Sequence, residues 1–274
     1  MRSTGDCALD LAIGGEDLSI LASREVLDSL PEWLRRFALP GVASSEGRIE
    51  LAVRGRPAHR WGVPARPEPV QVRESAPGEI AIEGAVSGRY FITARSGSVD
   101  DAENVGAVDC LMRLALSAAL PLSGGLLLHG AALVRPDGRA VAVCGASGAG
   151  KSTAAHALGA ACDELIVLRP GENGVELLAT PWWHGSPLRR RCDSILCLVR
   201  GGESGLLRHR GGAAARTLAR HVVRYLALES IEPVILELVR RVCERASVAT
   251  AACPEGDAFV PFLERSLDAA GEVA

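Results

Sequence analysis

The spacing of apolar residues divides the chain into a first part dominated by period-two alternation and a second part that mixes strands with helices. Helical spacing over residues 17–37 predicts a first helix, which Pro40 and Gly41 would end. Alternation then predicts four short strands on these apolar positions: Ile49, Leu51 and Val53; Val70 and Val72; Ile80 and Ile82; Tyr90, Ile92 and Ala94. Residues 1–103 are therefore predicted to form a small α+β domain, a helix followed by an antiparallel meander.

Residues 104–274 are predicted to form a second domain, in which strands and helices alternate. Residues 100–120 return to helical spacing, end at Pro121 and form the predicted joint between the domains. The pattern beyond that joint predicts strands at 126–134 and 139–144 around a turn at 136–138, a helix at 152–158, strands at 163–169, 175–179, 194–199 and 247–251, and helices at 213–228, 231–245 and 257–267. This order is typical of an α/β domain with a mixed sheet.

The link between the strand at 139–144 and the helix at 152–158 carries the pattern G-x-x-x-x-G-K-[ST]. Such a loop surrounds the β- and γ-phosphates of a nucleotide, because its glycines let backbone N–H groups approach them. Lys151 would reach these phosphates and the Ser152 hydroxyl would bind Mg²⁺. ATP and Mg²⁺ are the expected ligands, with GTP left open. The residues predicted to bind nucleotide are Gly145, Ala146, Ser147, Gly148, Ala149, Gly150, Lys151, Ser152 and Thr153.

Lys151 is the only lysine in a chain with 30 lysine and arginine residues, so the other 29 are arginines. An ammonium on a flexible stem binds phosphate as a compact point charge, whereas arginine suits planar, bidentate partners. The single lysine stands where a phosphate-binding loop needs one. This placement favours a functional loop over a glycine-rich turn without a ligand.

Composition and charge exclude several classes of function. A formal net charge of −3 offers no basic surface for nucleic acid, and the most apolar stretch, residues 111–128, is interrupted by arginine, proline and glycine. Neither nucleic acid nor a membrane is an expected partner, and Asp6 and Asp10 argue against a signal peptide. The eight cysteines lack a C-x-x-C pair, so we expect no zinc site and a reducing, cytoplasmic location. A homo-oligomer stays open.

A phosphate-binding loop alone does not identify a reaction, because motors, transporters, GTPases and kinases share it. An ABC-type ATPase would carry a Leu-Ser-Gly-Gly signature after the loop, but here these residues, at 122–125, precede it. A GTPase would need an Asn-Lys-x-Asp motif, which requires a second lysine. Both classes are therefore excluded.

The remaining pattern resembles the C-terminal catalytic domain of HPr kinase/phosphorylase and the related kinase-like proteins found with peptide-tailoring clusters. The resemblance covers about residues 126–251. Its features are His129 and Gly130 on the strand before the loop, the loop itself, the acidic pair Asp163 and Glu164 after it, and a Thr-Pro-Trp segment at 180–182.

This resemblance implies a sheet with an embedded nucleotide loop, similar to that of phosphoenolpyruvate carboxykinase, and transfer of the γ-phosphoryl group of ATP to a serine hydroxyl. It implies Asp163 as the base and as a Mg²⁺ partner together with Ser152. Glu164 is the alternative base and a possible metal partner, and His129 would assist at the transferred group. A carboxylate beside the loop suits this reaction, since phosphoryl transfer depends mainly on positioning and charge neutralisation.

Two features depart from the family pattern. Only twelve positions separate Lys151 from Asp163, fewer than is usual in the family, and the second acid is Glu164 where HPr kinases carry aspartate.

Three functions stay open. The first is a kinase acting on a Ser/Thr hydroxyl of a peptide or protein, or on a small hydroxylated metabolite. The second is a nucleotide-binding regulator or scaffold without transfer, and the third is a small-molecule kinase of another family with an arginine-rich lid at 189–210.

Other residues of this region are interpreted as structural. Trp182 and Trp183 would pack in the core, with His184 a weak candidate beside them. The arginines at 189–191 would lie on an exposed loop, and those at 216, 220 and 224 on the solvent face of one helix.

Overall fold

The structure is a computed structural model that describes residues 7–40, 47–54, 71–84, 86–100, 106–135, 137–182, 185–201 and 203–271. It is a mixed α/β protein with two mixed sheets. The chain divides into two compact units. The first contains the described residues up to Leu122 together with Arg224–Ile231, and the second contains Ser123–Val223 with the described residues from Glu232 onward.

This division falls at Leu122, whereas the sequence placed the domain boundary between residues 103 and 104. The helix that the sequence interpreted as the joint between the domains lies in the first unit. Residues 101–105, where that helix was expected to begin, lie outside the described ranges.

Within its described residues, the first unit contains one seven-stranded sheet and three helices. Its strand order is β1-β2-β3-β7-β6-β5-β4, with β3 parallel to both β2 and β7 and the other neighbours antiparallel. The elements are β1 (Cys7–Ile13), β2 (Glu16–Ala22), α1 (Arg24–Ser29), α2 (Glu32–Arg35), β3 (Ile49–Val53), β4 (Gln71–Ala76), β5 (Glu79–Glu83), β6 (Ser87–Phe91), β7 (Ser96–Asp100) and α3 (Gly106–Leu122).

The predicted helix at 17–37 is wrong over its first six residues, which form most of β2. Gly14 and Gly15 have φ of 64° and 84°, and this tight turn pairs β1 with β2 in a hairpin. Buried positions four residues apart, such as Leu18 and Ala22, fit a strand as well as a helix. The helical pattern is real only from Arg24, where the Ser23 hydroxyl accepts from the N–H of Val26 at 3.4 Å.

The alternations that predicted strands are confirmed at β3, β5 and β6, and the predicted Val72 lies within β4. Val70 lies outside the described residues. Ile92 and Ala94 belong to a turn before β7. Strand β7 itself was not predicted from the sequence. The parallel pairs of β3 make the sheet mixed rather than a simple antiparallel meander. Pro121 lies in the last turn of α3 instead of ending the helix before it.

The second unit contains another seven-stranded sheet, in the order β11-β10-β8-β9-β12-β14-β13. Helices α4 and α7 share one buried core cluster with residues of β9, β12 and β14. The elements are β8 (Leu126–Val134), β9 (Ala140–Gly145), α4 (Lys151–Leu158), β10 (Leu165–Gly171), β11 (Gly174–Ala179), β12 (Arg189–Arg200), β13 (Gly205–His209), α5 (Gly211–Ala219), α6 (Glu232–Arg245), β14 (Ser247–Cys253), a 3-10 turn (Gly256–Ala258) and α7 (Phe259–Gly271).

Strand β12 closes part of this sheet into a ring. Its first residues pair antiparallel with β11, and its later residues pair parallel with β9 on one side and β14 on the other. Strands β8, β9, β12, β11 and β10 therefore form a closed ring of five. Because β9, β12 and β14 are parallel, their carboxyl ends at Gly145, Arg200 and Cys253 lie at one edge. In open α/β sheets, ligands bind at the carboxyl ends of the strands.

Most elements predicted for this unit are confirmed within a few residues, and two differ in ways that affect the cleft described below. Asp163 and Glu164 precede β10 instead of opening it. Helix α5 ends at Ala219, not at residue 228, because the following residues pair with β8. There the N–H of His129 donates to the carbonyl of His221 at 2.9 Å.

Two arginine groups also differ from expectation. The arginines at 189–191 form the exposed start of β12 and not a loop. Arg216 and Arg220 are exposed at α5 and its C-cap, but Arg224 lies beyond that helix.

Strand β13 was not predicted from the sequence. None of the helices within the described ranges combines the length and apolarity needed to cross a bilayer.

Candidate functional site

The glycine-rich loop, residues 145–152, connects the end of β9 to the first turn of α4. Gly145 has φ of 155° and Gly150, the N-cap of α4, has φ of 105°. A Cβ at Gly145 would lie 2.8 Å from the carbonyl oxygen of Leu198, and one at Gly150 would lie 2.8 Å from the Phe259 ring. These two positions therefore require glycine for both conformation and space.

Several main-chain N–H groups of the loop have no acceptor among the residues that the structure describes. Within the described part of the chain, no backbone carbonyl accepts from the N–H of Gly148, Gly150, Lys151 or Ser152. The first N–H groups of a helix lack intrahelical acceptors and carry its positive dipole end. The loop can therefore bind an anion through its main chain.

Lys151 is held inside the curve of this loop. Its Nζ donates to the carbonyl oxygens of Gly145 at 2.9 Å and Ala146 at 3.0 Å, and the residue is 6% exposed. Burial lowers the pKa of the ammonium, and the charge of Asp163 opposes this shift. Among the residues that the structure describes, no carboxylate lies within 4.0 Å of this ammonium. An anion in the loop would supply the missing counter-charge.

Asp163 and Glu164 are fixed by their main chain just before β10. Glu164 has φ of 86°, a left-handed conformation that costs a non-glycine residue about 1–2 kcal/mol. Its N–H donates to Asp163 Oδ1 at 2.8 Å, and its carbonyl accepts from the N–H of Gly130 at 3.0 Å. Strain of this kind often marks functional sites, and the pairing of Leu165 with His129 maintains it here.

The Thr-Pro-Trp segment lies beneath this acidic pair. Thr180 is completely buried, and its hydroxyl donates to the carbonyl oxygen of Leu165, the residue that follows Glu164. Trp182 is 3% exposed and belongs to the core, as the sequence indicated. Trp183 and His184 lie outside the described residues.

A cleft of about 430 Å³ brings the predicted catalytic residues to the glycine-rich loop. The short helix α4 therefore leaves the acidic pair within the same cavity as the lysine, despite the twelve positions between Lys151 and Asp163. Gly145 and Ala146 lie at the start of the loop, and Ala149 lines a neighbouring cleft. The first cleft is lined by His129, Ser147, Gly148, Gly150, Lys151, Ser152, Thr153, Asp163, Glu164 and Arg200.

Arg200 is a second cation of this cleft, and the sequence analysis missed it. It is the last residue of β12, and its Nε lies 3.9 Å from Glu255 Oε1. No motif marks this arginine. The signal that could have found it is topological, since a strand parallel to β9 ends beside the loop that follows β9.

His221 was also missed, because it fell inside a predicted helix. Its carbonyl accepts from the N–H of His129. Burial lowers the pKa of the His221 imidazole, and the nearby charges of Lys151, His129 and Arg220 lower it further. These influences place His221 within electrostatic reach of Lys151 and favour its neutral form.

The residues assigned to Mg²⁺ fit that ion in type. Ser152 and Asp163 line the same cleft and offer a hydroxyl and a carboxylate oxygen. Mg²⁺ prefers oxygen ligands and usually takes few from the protein, with substrate phosphates and water completing its shell. Among the described residues, no group of three or more His, Cys, Asp or Glu side chains is arranged to hold a metal by itself. A Mg²⁺ ion here would therefore depend on a phosphate ligand.

A scan against protein-family models and a search of curated proteins found no match to this chain.

Proposed function

We propose that this protein is an ATP- and Mg²⁺-dependent kinase that transfers the γ-phosphoryl group to a Ser/Thr hydroxyl of a peptide or protein, or to a small hydroxylated metabolite. The observation that carries the proposal is the single cleft that contains Lys151, Ser152, Asp163, Glu164 and His129. The resemblance to the HPr kinase C-terminal domain supports the same reaction and a related fold.

The glycine-rich loop would bind the phosphate chain. Phosphate oxygens would accept from the N–H groups of Gly148, Gly150, Lys151 and Ser152, and the Lys151 ammonium would neutralise their charge. The Ser152 hydroxyl and the Asp163 carboxylate would hold Mg²⁺, which supplies further charge neutralisation when bound. The buried position of Lys151 strengthens its attraction for phosphate, because nearby water screens it less than at an exposed site.

Asp163 is the proposed base. Its Oδ1 accepts from the N–H of Glu164, which fixes the carboxylate and leaves Oδ2 to accept the proton of the acceptor hydroxyl. The hydroxyl oxygen forms a bond to the γ-phosphorus, the bond from that phosphorus to the β–γ bridging oxygen breaks, and ADP leaves. Glu164 is the alternative base, and His129 lies on the same wall to assist at the transferred group.

One observation favours a second function, a nucleotide-binding regulator or scaffold without transfer. Only twelve positions separate Lys151 from Asp163, fewer than in the HPr kinase family, so the segment before the proposed base is shortened. Such a protein would bind the same nucleotide through the same loop and turn over no phosphate.

Phosphate transfer by the wild type distinguishes the two functions, and Asp163→Asn tests the proposed base. The proposed kinase transfers ³²P from γ-labelled ATP into an acceptor present in a cell lysate, and the variant loses this transfer by about 100-fold or more. Nucleotide affinity measured by calorimetry changes much less than transfer, because the loop amides and Lys151 remain. Equal transfer by the variant would remove Asp163 from the role of base. ATP binding without transfer by the wild type would select the regulator.

A further inference from the structure

A second cleft, of about 400 Å³, opens beside the glycine-rich loop. It shares Gly150, Thr153 and Arg200 with the first cleft, so the two are neighbours at the carboxyl edge of β9, β12 and β14. Most of its other walls come from residues 253–260, which connect β14 to α7. Three residues of the predicted nucleotide loop line this second cleft, Ala149, Gly150 and Thr153, whereas the residues assigned to the transfer step itself line only the first cleft.

The two clefts differ in the groups that can bind an anion. Each contains two carboxylates and shares Arg200, but only the first adds the Lys151 ammonium and the N-terminal amides of α4. The second adds the ring of Phe259 to the carboxylates of Glu255 and Asp257. Without the amides and the ammonium, these carboxylates disfavour phosphate, but they accept hydrogen bonds from hydroxyl and amino groups. A ligand with a polyanionic end and a neutral, donor-rich end matches this pair.

Phe259 gives the second cleft an apolar wall next to the phosphate loop. Its ring packs so closely on Gly150 that a Cβ there would lie 2.8 Å from Cζ. The ring is 8% exposed and belongs to the core cluster with Ala149 and Leu263, so the wall is fixed. A flat, partly apolar group can rest against such a wall.

We infer that the second cleft is a nucleoside pocket, which holds the ribose and base while the triphosphate lies in the first cleft. This inference rests on the proposed function. Thr153 and Arg200 line both clefts and mark the place where the phosphate chain meets the nucleoside. Asp163 and His129 line only the first cleft, so this orientation directs the terminal phosphate toward them. Glu255 and Asp257 accept from ribose hydroxyls or base amino groups.

The test compares the affinities of Mg²⁺–ATP and Mg²⁺–tripolyphosphate by calorimetry in wild type and Asp257→Ala. Loss of the carboxylate weakens ATP about tenfold, because a charged hydrogen bond to the nucleoside is lost. It leaves tripolyphosphate affinity unchanged or slightly raised, because a repulsive charge is removed. Glu255→Gln gives a second, milder test of the same difference. Glu264→Ala, an exposed change on α7 outside both clefts, is the matched control and alters neither affinity.

The outcomes separate this inference from the proposed function. A wild type that binds neither ligand contradicts the nucleotide site itself. A wild type that binds ATP no better than tripolyphosphate, or variants that change both affinities equally or not at all, overturns the nucleoside pocket alone. An unchanged ATP affinity with a raised KM for the hydroxyl acceptor would also overturn it and would assign the cleft to the acceptor.

Discussion

Gly150→Ala tests the geometry of the glycine-rich loop without any ligand. The substitution places a Cβ 2.8 Å from Cζ and 2.9 Å from Cε2 of Phe259, at a backbone with φ of 105°. An alanine in this left-handed region costs about 1–2 kcal/mol. The overlap must also displace a ring packed in the core cluster, and overpacking of this kind costs about 1–3 kcal/mol. The expected total is about 2–5 kcal/mol.

Gly148→Ala is the matched control for this variant. Its φ is 78°, and no atom lies within 4 Å of the added Cβ, so it carries only the backbone cost of about 1–2 kcal/mol. The difference between the two variants, about 1–3 kcal/mol, therefore reports the contact between the loop and Phe259.

Hydrogen exchange of peptides that cover β9 and α4 is the suitable assay, because the chain has two compact units and need not unfold in one transition. Urea unfolding followed by circular dichroism gives a second measure. If Gly150→Ala were no more destabilising than Gly148→Ala, the ring would not pack against the loop and the described geometry would be refuted.

Two further predictions concern the residues that the sequence analysis missed. Arg200→Ala should lower the affinity for Mg²⁺–ATP about tenfold by calorimetry, because a cation facing the phosphates is lost. Arg190→Ala, an exposed change on the same strand outside both clefts, should leave that affinity unchanged. Equal effects of the two variants would remove Arg200 from the site. In an NMR pH titration, the pKa of His221 should lie below its ordinary value of 6.5. Lys151→Met should raise that pKa, because a nearby positive charge disappears. An unchanged pKa would contradict the proximity of His221 and Lys151.

The strand, loop and helix around the candidate site could be predicted from the sequence because each depends on a local pattern. The buried run of β9, the glycines and the start of α4 follow one another without a long-range contact. His129, Asp163 and Glu164 were proposed from a family resemblance, and the pairing of β8 with β10 brings them to one cleft. Their chemical roles stay predictions.

The differences from prediction have long-range causes. Residues 17–22 became a strand because the turn at Gly14 and Gly15 offered a pairing partner. Residues after Ala219 left the helix because their backbone groups could pair with β8. The same pairing brought His221 toward Lys151. Arg200 became a cleft residue through the parallel order of β9 and β12, which periodicity does not report.

The proposed function requires that the loop amides and Lys151 bind the phosphates of a nucleotide. Calorimetric titration of Mg²⁺–ATP into the wild type and into Lys151→Met measures this binding. We expect saturable binding at one site in the wild type and a loss of at least about tenfold in the variant, since a buried charge pair with phosphate is removed. If folded wild-type protein bound neither ATP nor GTP with Mg²⁺ present, the loop would not be a nucleotide site.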